Sequence, residues 1–137
     1  MKAFVLDASA ALGWILDRPV PARAAQARSL IIAGATPVVP TLWLQEVSNA
    51  IVIAERRGRL TAAQVRTLTT DLEDFLQVVE LESLRVRPSI LVETAQRTLL
   101  SVYDATYLEL ASRRRLPLAT LDDKLREAAR HAGLALI

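Results

Sequence analysis

Lys2-Ala3-Phe4-Val5-Leu6-Asp7-Ala8-Ser9-Ala10-Ala11-Leu12-Gly13-Trp14-Ile15-Leu16 opens the chain and decides its class. Lys2–Leu6 is a short apolar run of strand length and reads as a buried strand. It stops at a single acid, Asp7. Ala8–Leu16 then reads as a helix that ends near Pro19 and Pro21. A buried strand that hands an acid to a helix start is the first half of an α/β unit with a parallel sheet. Ligands of such sheets bind beyond the carboxyl ends of the strands, so Asp7 stands in a privileged place. Taken alone, it is explained as well by ordinary N-capping of the helix that follows.

The same punctuation recurs along the chain. Arg23–Ala33 reads as a helix with Gly34 where a C-terminal cap belongs, and Thr36–Val39 as a strand. Thr41 is placed to cap a long helix from Leu42 to about Arg57, whose Trp43, Val47, Ala50, Ile51 and Ala54 follow helical spacing. Thr61 and Gln64 form a capping-box pattern, and the next helix carries Val65, Leu68, Leu72 and Phe75 on one stripe. Gln77–Leu81 reads as a strand, and Pro88 starts a helix over Ser89–Leu99. Ser101 caps a helix from Tyr103 to about Arg114. Leu116–Leu121 is of strand length, Asp122–Ala132 forms an amphipathic helix ended by Gly133, and Leu134–Ile137 reads as a last strand. The alternation predicts a three-layer α/β/α fold with a mostly parallel central sheet, in one domain over residues 1–137.

Composition narrows the function. The chain has 137 residues, of which 52% are hydrophobic, enough for a sizeable core and too apolar for disorder. Without cysteine there are no disulfides and no thiolate metal sites. Asp7 interrupts the first apolar run before a signal-peptide core can form, and no stretch approaches the ~20 residues that span a bilayer. A soluble, cytoplasmic protein without membrane attachment is expected. The net charge of +2 is nearly neutral, and most of the basic residues are Arg, suited to planar recognition of phosphate and carboxylate.

Four acids carry the chemistry. Asp7 follows the first strand, and Asp122 follows the strand ending Ala119-Thr120-Leu121. Asp104 lies in the first turn of a helix with apolar neighbours on both sides. Glu46 lies one turn inside a helix, flanked by large apolar groups, with Asn49 on the same face. Each has a capping or helix-dipole explanation when read singly. Gathered at one crevice they form an oxygen donor set suited to Mg²⁺ or Mn²⁺. Such a cation activates water and neutralises charge on a phosphate undergoing attack. That chemistry is hydrolysis without a covalent enzyme intermediate.

These residues fall into a recognisable order. Asp7-Ala8-Ser9-Ala10 after the opening strand, then Pro40-Thr41-Leu42-Trp43-Leu44-Gln45-Glu46-Val47-Ser48-Asn49-Ala50, resembles a PIN-domain nuclease. Tyr103-Asp104-Ala105-Thr106-Tyr107-Leu108-Glu109-Leu110-Ala111 is similar to that family's third motif, and Pro117-Leu118-Ala119-Thr120-Leu121-Asp122 to its fourth. The resemblance is closest to VapC-type toxins of prokaryotic toxin–antitoxin pairs. It implies a parallel α/β/α fold, Mg²⁺- or Mn²⁺-dependent endoribonuclease activity and inhibition by a cognate VapB-type antitoxin. It also implies homodimers, and structured RNA such as tRNA or ribosomal RNA as substrate. By motif position Asp7, Glu46, Asp104 and Asp122 correspond to the metal-binding catalytic acids, and Ser9, Asn49 and Thr120 to supporting polar positions. Asp123 lies outside the motif.

Two rival functions share some of these features. A receiver-like phosphoacceptor domain also binds Mg²⁺ through strand-end acids, but it wants paired acids after the first strand and a Lys near the end. Here one acid follows that strand, and Lys124 sits on a helix. A catalytically silent PIN-type binding module is disfavoured by the intact set of four acids. His131, near a helix end, reads as a dipole partner. Arg56-Arg57-Gly58-Arg59 and Arg113-Arg114-Arg115 read as solvated helix ends, with some contacting RNA phosphates. Trp14 and Trp43 read as core or interface residues, Trp14 being the better candidate for a partner contact.

Overall fold

In the computed structural model, which describes residues 1–137, strand β1 (Ala3–Leu6) is followed by helices α1 (Ala8–Ile15) and α2 (Ala22–Ile32). Strand β2 (Thr36–Pro40), α3 (Leu42–Arg56) and α4 (Ala62–Phe75) come next, then the short β3 (Glu80–Glu82). Helices α5 (Pro88–Thr98) and α6 (Val102–Arg114), strand β4 (Leu118–Ala119) and α7 (Asp123–His131) complete the chain. The strands form one sheet in the order β3-β2-β1-β4, parallel throughout.

Parallel strands need crossovers, and right-handed crossovers fix which face each helix covers. The steps β1 to β2 and β2 to β3 run one way across the sheet, placing α1–α4 on one face. The step from β3 back past β1 to β4 runs the other way and places α5 and α6 opposite. Helix α6 accordingly packs on β1, β2 and β4, whereas α3 packs on β2 and α2 on β4. The α/β/α expectation holds. Flanked by strands and covered on both faces, β1 is the centre of the core, with Phe4, Val5 and Leu6 all 0% exposed. Burying each such side chain contributes roughly 1.5–3 kcal/mol.

The differences from the sequence reading have local causes. Residues 77–79 do not form a strand, because the amides of Gln77 and Val78 still bond to the α4 carbonyls of Asp74 and Phe75. β3 therefore begins at Glu80. β4 spans only Leu118–Ala119, since the next amides are taken by hydroxyls: Leu121 N–H donates to Ser9 Oγ and Asp122 N–H to Thr120 Oγ1. The expected last strand reduces to one parallel bridge between Leu118 and Leu136. Thr41 precedes α3 but its side chain makes no cap, while the Thr61–Gln64 capping box forms in full. Trp43 is buried, Trp14 half-buried, and both rings meet Phe75 of α4, with centroids 5.9 and 6.1 Å away. No helix is long and apolar enough to cross a membrane.

Gly13 lets α1 pack closely against α2. A Cβ there would stand 2.7 Å from Ala24 Cβ and 2.9 Å from Leu121 Cδ1. Ala24 Cβ sits on its own helix backbone and cannot swing aside. Alanine's helix preference gains about 1 kcal/mol, but overpacking costs about 1–3 kcal/mol. Gly13→Ala is expected to lower stability by about 1 kcal/mol net, seen as a lower urea midpoint. A raised midpoint would show that the α1–α2 contact yields easily.

Candidate active site

The carboxyl ends of all the strands lie along one edge of the sheet. Between β1 and β4 the direction of the crossovers reverses, since β2 lies on one side of β1 and β4 on the other. This is the switch point where a parallel sheet opens a crevice. Asp7 leaves β1 there, and Thr120 and Asp122 leave β4. Their register is tight, as Asp7 N–H donates to Ala119 C=O at 2.9 Å.

Asp7 occupies the N-cap position of α1, yet its side chain caps nothing. The first helical amides bond instead to its backbone carbonyl, Ala10 N–H at 3.1 Å. Its carboxylate turns to the crevice, where Oδ2 accepts hydrogen bonds from Ser9 Oγ at 2.5 Å and Thr120 Oγ1 at 2.6 Å. Those hydroxyls are themselves fixed by the amides of Leu121 and Asp122. Oδ1 receives no protein hydrogen bond and is not sealed off. The residue is 3% exposed and has no cationic partner. Burial pushes its pKa up to about 6; the two hydroxyls oppose that shift, and the charges of Glu46 and Asp104 add to it.

Glu46, half-buried on α3, is held by Tyr107, whose hydroxyl donates to Oε1 at 2.6 Å. Burial raises the Glu46 pKa, Tyr107 counteracts, and Asp104 raises it further. Asp104, also half-buried, lies in the first turn of α6, where its N–H is capped by Ser101 Oγ at 3.1 Å. Its carboxyl is raised by burial and then by the charge of Asp122. Asp122 is a true N-cap: Oδ1 accepts from Leu125 N–H at 2.8 Å. The four acids thus feel one another across a single crevice. As placed, no three acidic side chains stand close enough together to hold a metal ion. The donor chemistry nonetheless fits a hard divalent cation: carboxylate oxygens only, three of the acids biased towards protonation first by burial and then by one another's charge, and a free oxygen on the most buried.

Ser9 and Thr120 sit against Asp7, whereas Asn49, one turn beyond Glu46, is exposed and makes no side-chain hydrogen bond. Asp123 points outward, 3.6 Å from Arg23. His131 pairs with Glu127 at 3.1 Å. In the Arg113–Arg115 run Arg115 is an exposed helix end, whereas its two neighbours are ion-paired. Arg113 bonds Glu109 at 2.7 Å, and Arg113 and Arg114 both reach Glu82, while Arg114 also pairs with Glu80. Lys124 lies exposed on α7, outside the crevice, so the receiver-like arrangement is not built.

Two residues emerge that sequence reasoning had given no role. Tyr107 is 0% exposed, and burial with Glu46 beside it raises its pKa, so it stays a neutral donor. The signal for it was a hydroxyl three residues after Asp104, on an otherwise apolar helix face. Arg126 is buried behind the Thr120 turn, where Nη1 donates to the carbonyls of Thr120 at 3.1 Å and Ile137 at 2.9 Å. Nothing in its amphipathic helix pattern sets it apart.

A sequence profile described as PIN domain matches residues 4–131. Among solved structures, PAE2754 from Pyrobaculum aerophilum is similar at a TM-score of 0.70 and 20% identity, covering 98% of this chain and 89% of that one. FitAcB from Neisseria gonorrhoeae is similar at a TM-score of 0.66 and 18% identity, covering 98% and 96%. No match occurs among curated proteins. At these identities the structural likeness concerns the fold.

The Asp7 shift has a thermodynamic consequence. The folded protein holds this proton more tightly than the unfolded chain, so stability falls as pH rises from about 4 to about 6 and stays reduced above that. The lost stability is about 3 kcal/mol. Asp7→Asn keeps an oxygen for both hydroxyls and removes the charge. It is expected to raise the urea midpoint at pH 7 in EDTA and to flatten the pH dependence between 4 and 6. An unchanged or lower midpoint at pH 7 would contradict the buried, uncompensated charge.

Proposed function

The chain belongs to the PIN-domain family, and from that premise we propose that it is a Mg²⁺- or Mn²⁺-dependent endoribonuclease, the toxin of a VapBC-type pair. One observation carries the reading: a carboxylate buried at the switch point of the sheet, with one oxygen locked by two hydroxyls and the other unpaired, and with Glu46 and Asp104 near enough for their charges to act on it. An unpaired buried charge is costly, and folds keep one where a cation or substrate completes it.

Asp7, Glu46, Asp104 and Asp122 would hold the cation. When bound, it supplies Lewis acidity and neutralises charge on the scissile phosphate. The chain's own residues do the rest. Ser9 and Thr120 occupy Asp7 Oδ2 and prevent the carboxylate from turning, so Oδ1 is presented in one direction. The Asp122 cap on Leu125 fixes a second carboxylate in the same way. Tyr107 holds Glu46 by Oε1 and leaves Oε2 as the acceptor that orients the attacking water. The Ser9 hydroxyl, which donates to Asp7 and accepts from Leu121 N–H, serves as a positioning group, and water is the nucleophile of the proposed hydrolysis. Asn49, exposed one turn beyond Glu46 on α3, would be the third supporting polar residue. The toxin reading also brings a cognate VapB-type antitoxin and a homodimer as partners.

Asp7→Asn and Asp104→Asn are each expected to lower cation-dependent cleavage of total cellular RNA by about a hundredfold or more, with an unchanged circular dichroism spectrum. Full activity in both would sink the mechanism. Tyr107→Phe leaves Glu46 unheld, and the Mg²⁺ concentration for half-maximal cleavage is expected to rise roughly tenfold. An unaltered Mg²⁺ titration in that variant would separate Tyr107 from the site.

A further inference from the structure

The acid crevice sets a problem that its own residues do not solve. Carboxylates gathered at one sheet edge repel the polyanionic strand that a ribonuclease must hold. A cation in the crevice answers for the phosphate being cut, and the flanking phosphates need a positive site of their own. Several nearby arginines are committed elsewhere. Arg113 and Arg114 are paired with Glu109, Glu80 and Glu82. Arg23 faces Asp123, and Arg126 is buried on backbone carbonyls.

One cavity combines unpaired positive charge with closeness to the acids. It measures about 580 Å³ and lies between the C-terminal end of α5 and the outer face of α7, with Arg97, Leu99, Lys124, Glu127 and His131 in its lining. Arg97 and Lys124 are exposed and have no acidic partner, whereas Glu127 is engaged by Arg130 and His131, each at 3.1 Å. Both walls adjoin in sequence the segments that carry two of the acids. Lys124 follows Asp122 by two residues on α7, and Leu99 precedes by two the Ser101 whose hydroxyl caps Asp104. The cavity near loop 83–87, at 460 Å³, also holds arginines, but Glu82 and Glu109 line it and offset their charge.

A second observation points to the same place. Leu99 ends α5 in the left-handed region at φ 59° and is 89% exposed. Glycine usually takes this position, and an L-residue there costs on the order of 1 kcal/mol. The strain holds an apolar side chain outward on the rim of a basic cavity. That pairing suits a nucleotide, whose phosphate meets cations while its base rests on an apolar surface.

We propose that Arg97 and Lys124 bind the RNA backbone phosphate that flanks the scissile bond on the Asp104–Asp122 side, with Leu99 against the adjoining base. This rests on the ribonuclease reading of the acid site. The test measures binding of a fluorescent, mixed-sequence single-stranded RNA to the chain in an Asp7→Asn background, across a salt series. In parallel, cleavage of total cellular RNA is followed in the otherwise unaltered chain. Arg97→Ala and Lys124→Ala are each expected to weaken binding by about threefold to tenfold. Each should also flatten the slope of log affinity against log salt by about 0.7. KM should rise while kcat stays within about twofold, and Arg97→Lys and Lys124→Arg should restore the slope. If the original chain cleaves RNA but the double alanine variant keeps its affinity and salt slope, the docking site is wrong and the nuclease reading stands. A fall in kcat with unchanged KM overturns the docking role as well. If the original chain neither binds nor cleaves RNA, both readings fall together.

Discussion

A carboxylate at 3% exposure, bound by two hydroxyls and by no cation, is the constraint around which the functional edge of this protein is organised. Asp7 sits at the end of the central strand, so whatever fixes it also fixes the β1–β4 junction. Ser9 reaches forward from α1 and Thr120 across from β4, and each hydroxyl accepts a backbone amide from the same turn. Arg126 braces that turn from behind. The cost of the buried charge, about 3 kcal/mol, is a large part of the ~5–15 kcal/mol by which domains are stable. A core built on Phe4, Val5, Leu6, Trp43 and Tyr107 offsets it.

Much of this was legible in the sequence, and the limits of that reading are physical. The strand–acid–helix order at Lys2–Leu16 and the capping signals at Thr61 and Ser101 depend on local spacing, and they appear where spacing places them. Asp7 and Asp122 look alike in sequence, each an acid between a strand and a helix. The structure separates them: Asp122 caps Leu125, and Asp7 turns away from its helix. Which way an N-cap side chain turns depends on partners more than a hundred residues away, here Thr120. The same holds for Tyr107, whose value comes from Glu46 on another helix. The end of β4 was misjudged because side-chain hydroxyls took amides that a ladder would otherwise use.

The arginine runs teach a related lesson. Read alone, Arg113 and Arg114 are helix-end cations with a favourable dipole. In the fold they reach across to Glu80 and Glu82 on β3, the strand that closes one edge of the sheet. Exposed pairs of this kind add little stability each. Their position matters more, since charges on a short edge strand discourage another chain from adding to it. Arg97 at the end of α5 and Lys124 on α7 are exposed and have no such partners.

The strand order has a meaning in time as well as in space. β1 is synthesised more than a hundred residues before its partner on the β4 side, which starts at Leu118. At roughly 5–20 residues per second, ribosomes need several seconds or more to cover that interval. Throughout it the chain contains Asp7, Glu46 and then Asp104, but neither the hydroxyl of Thr120 nor the carboxylate of Asp122. An acid crevice divided in this way stays unassembled until the Thr120 turn has been made. The topology itself delays assembly of the acid site until β4 and the turn after it have been made.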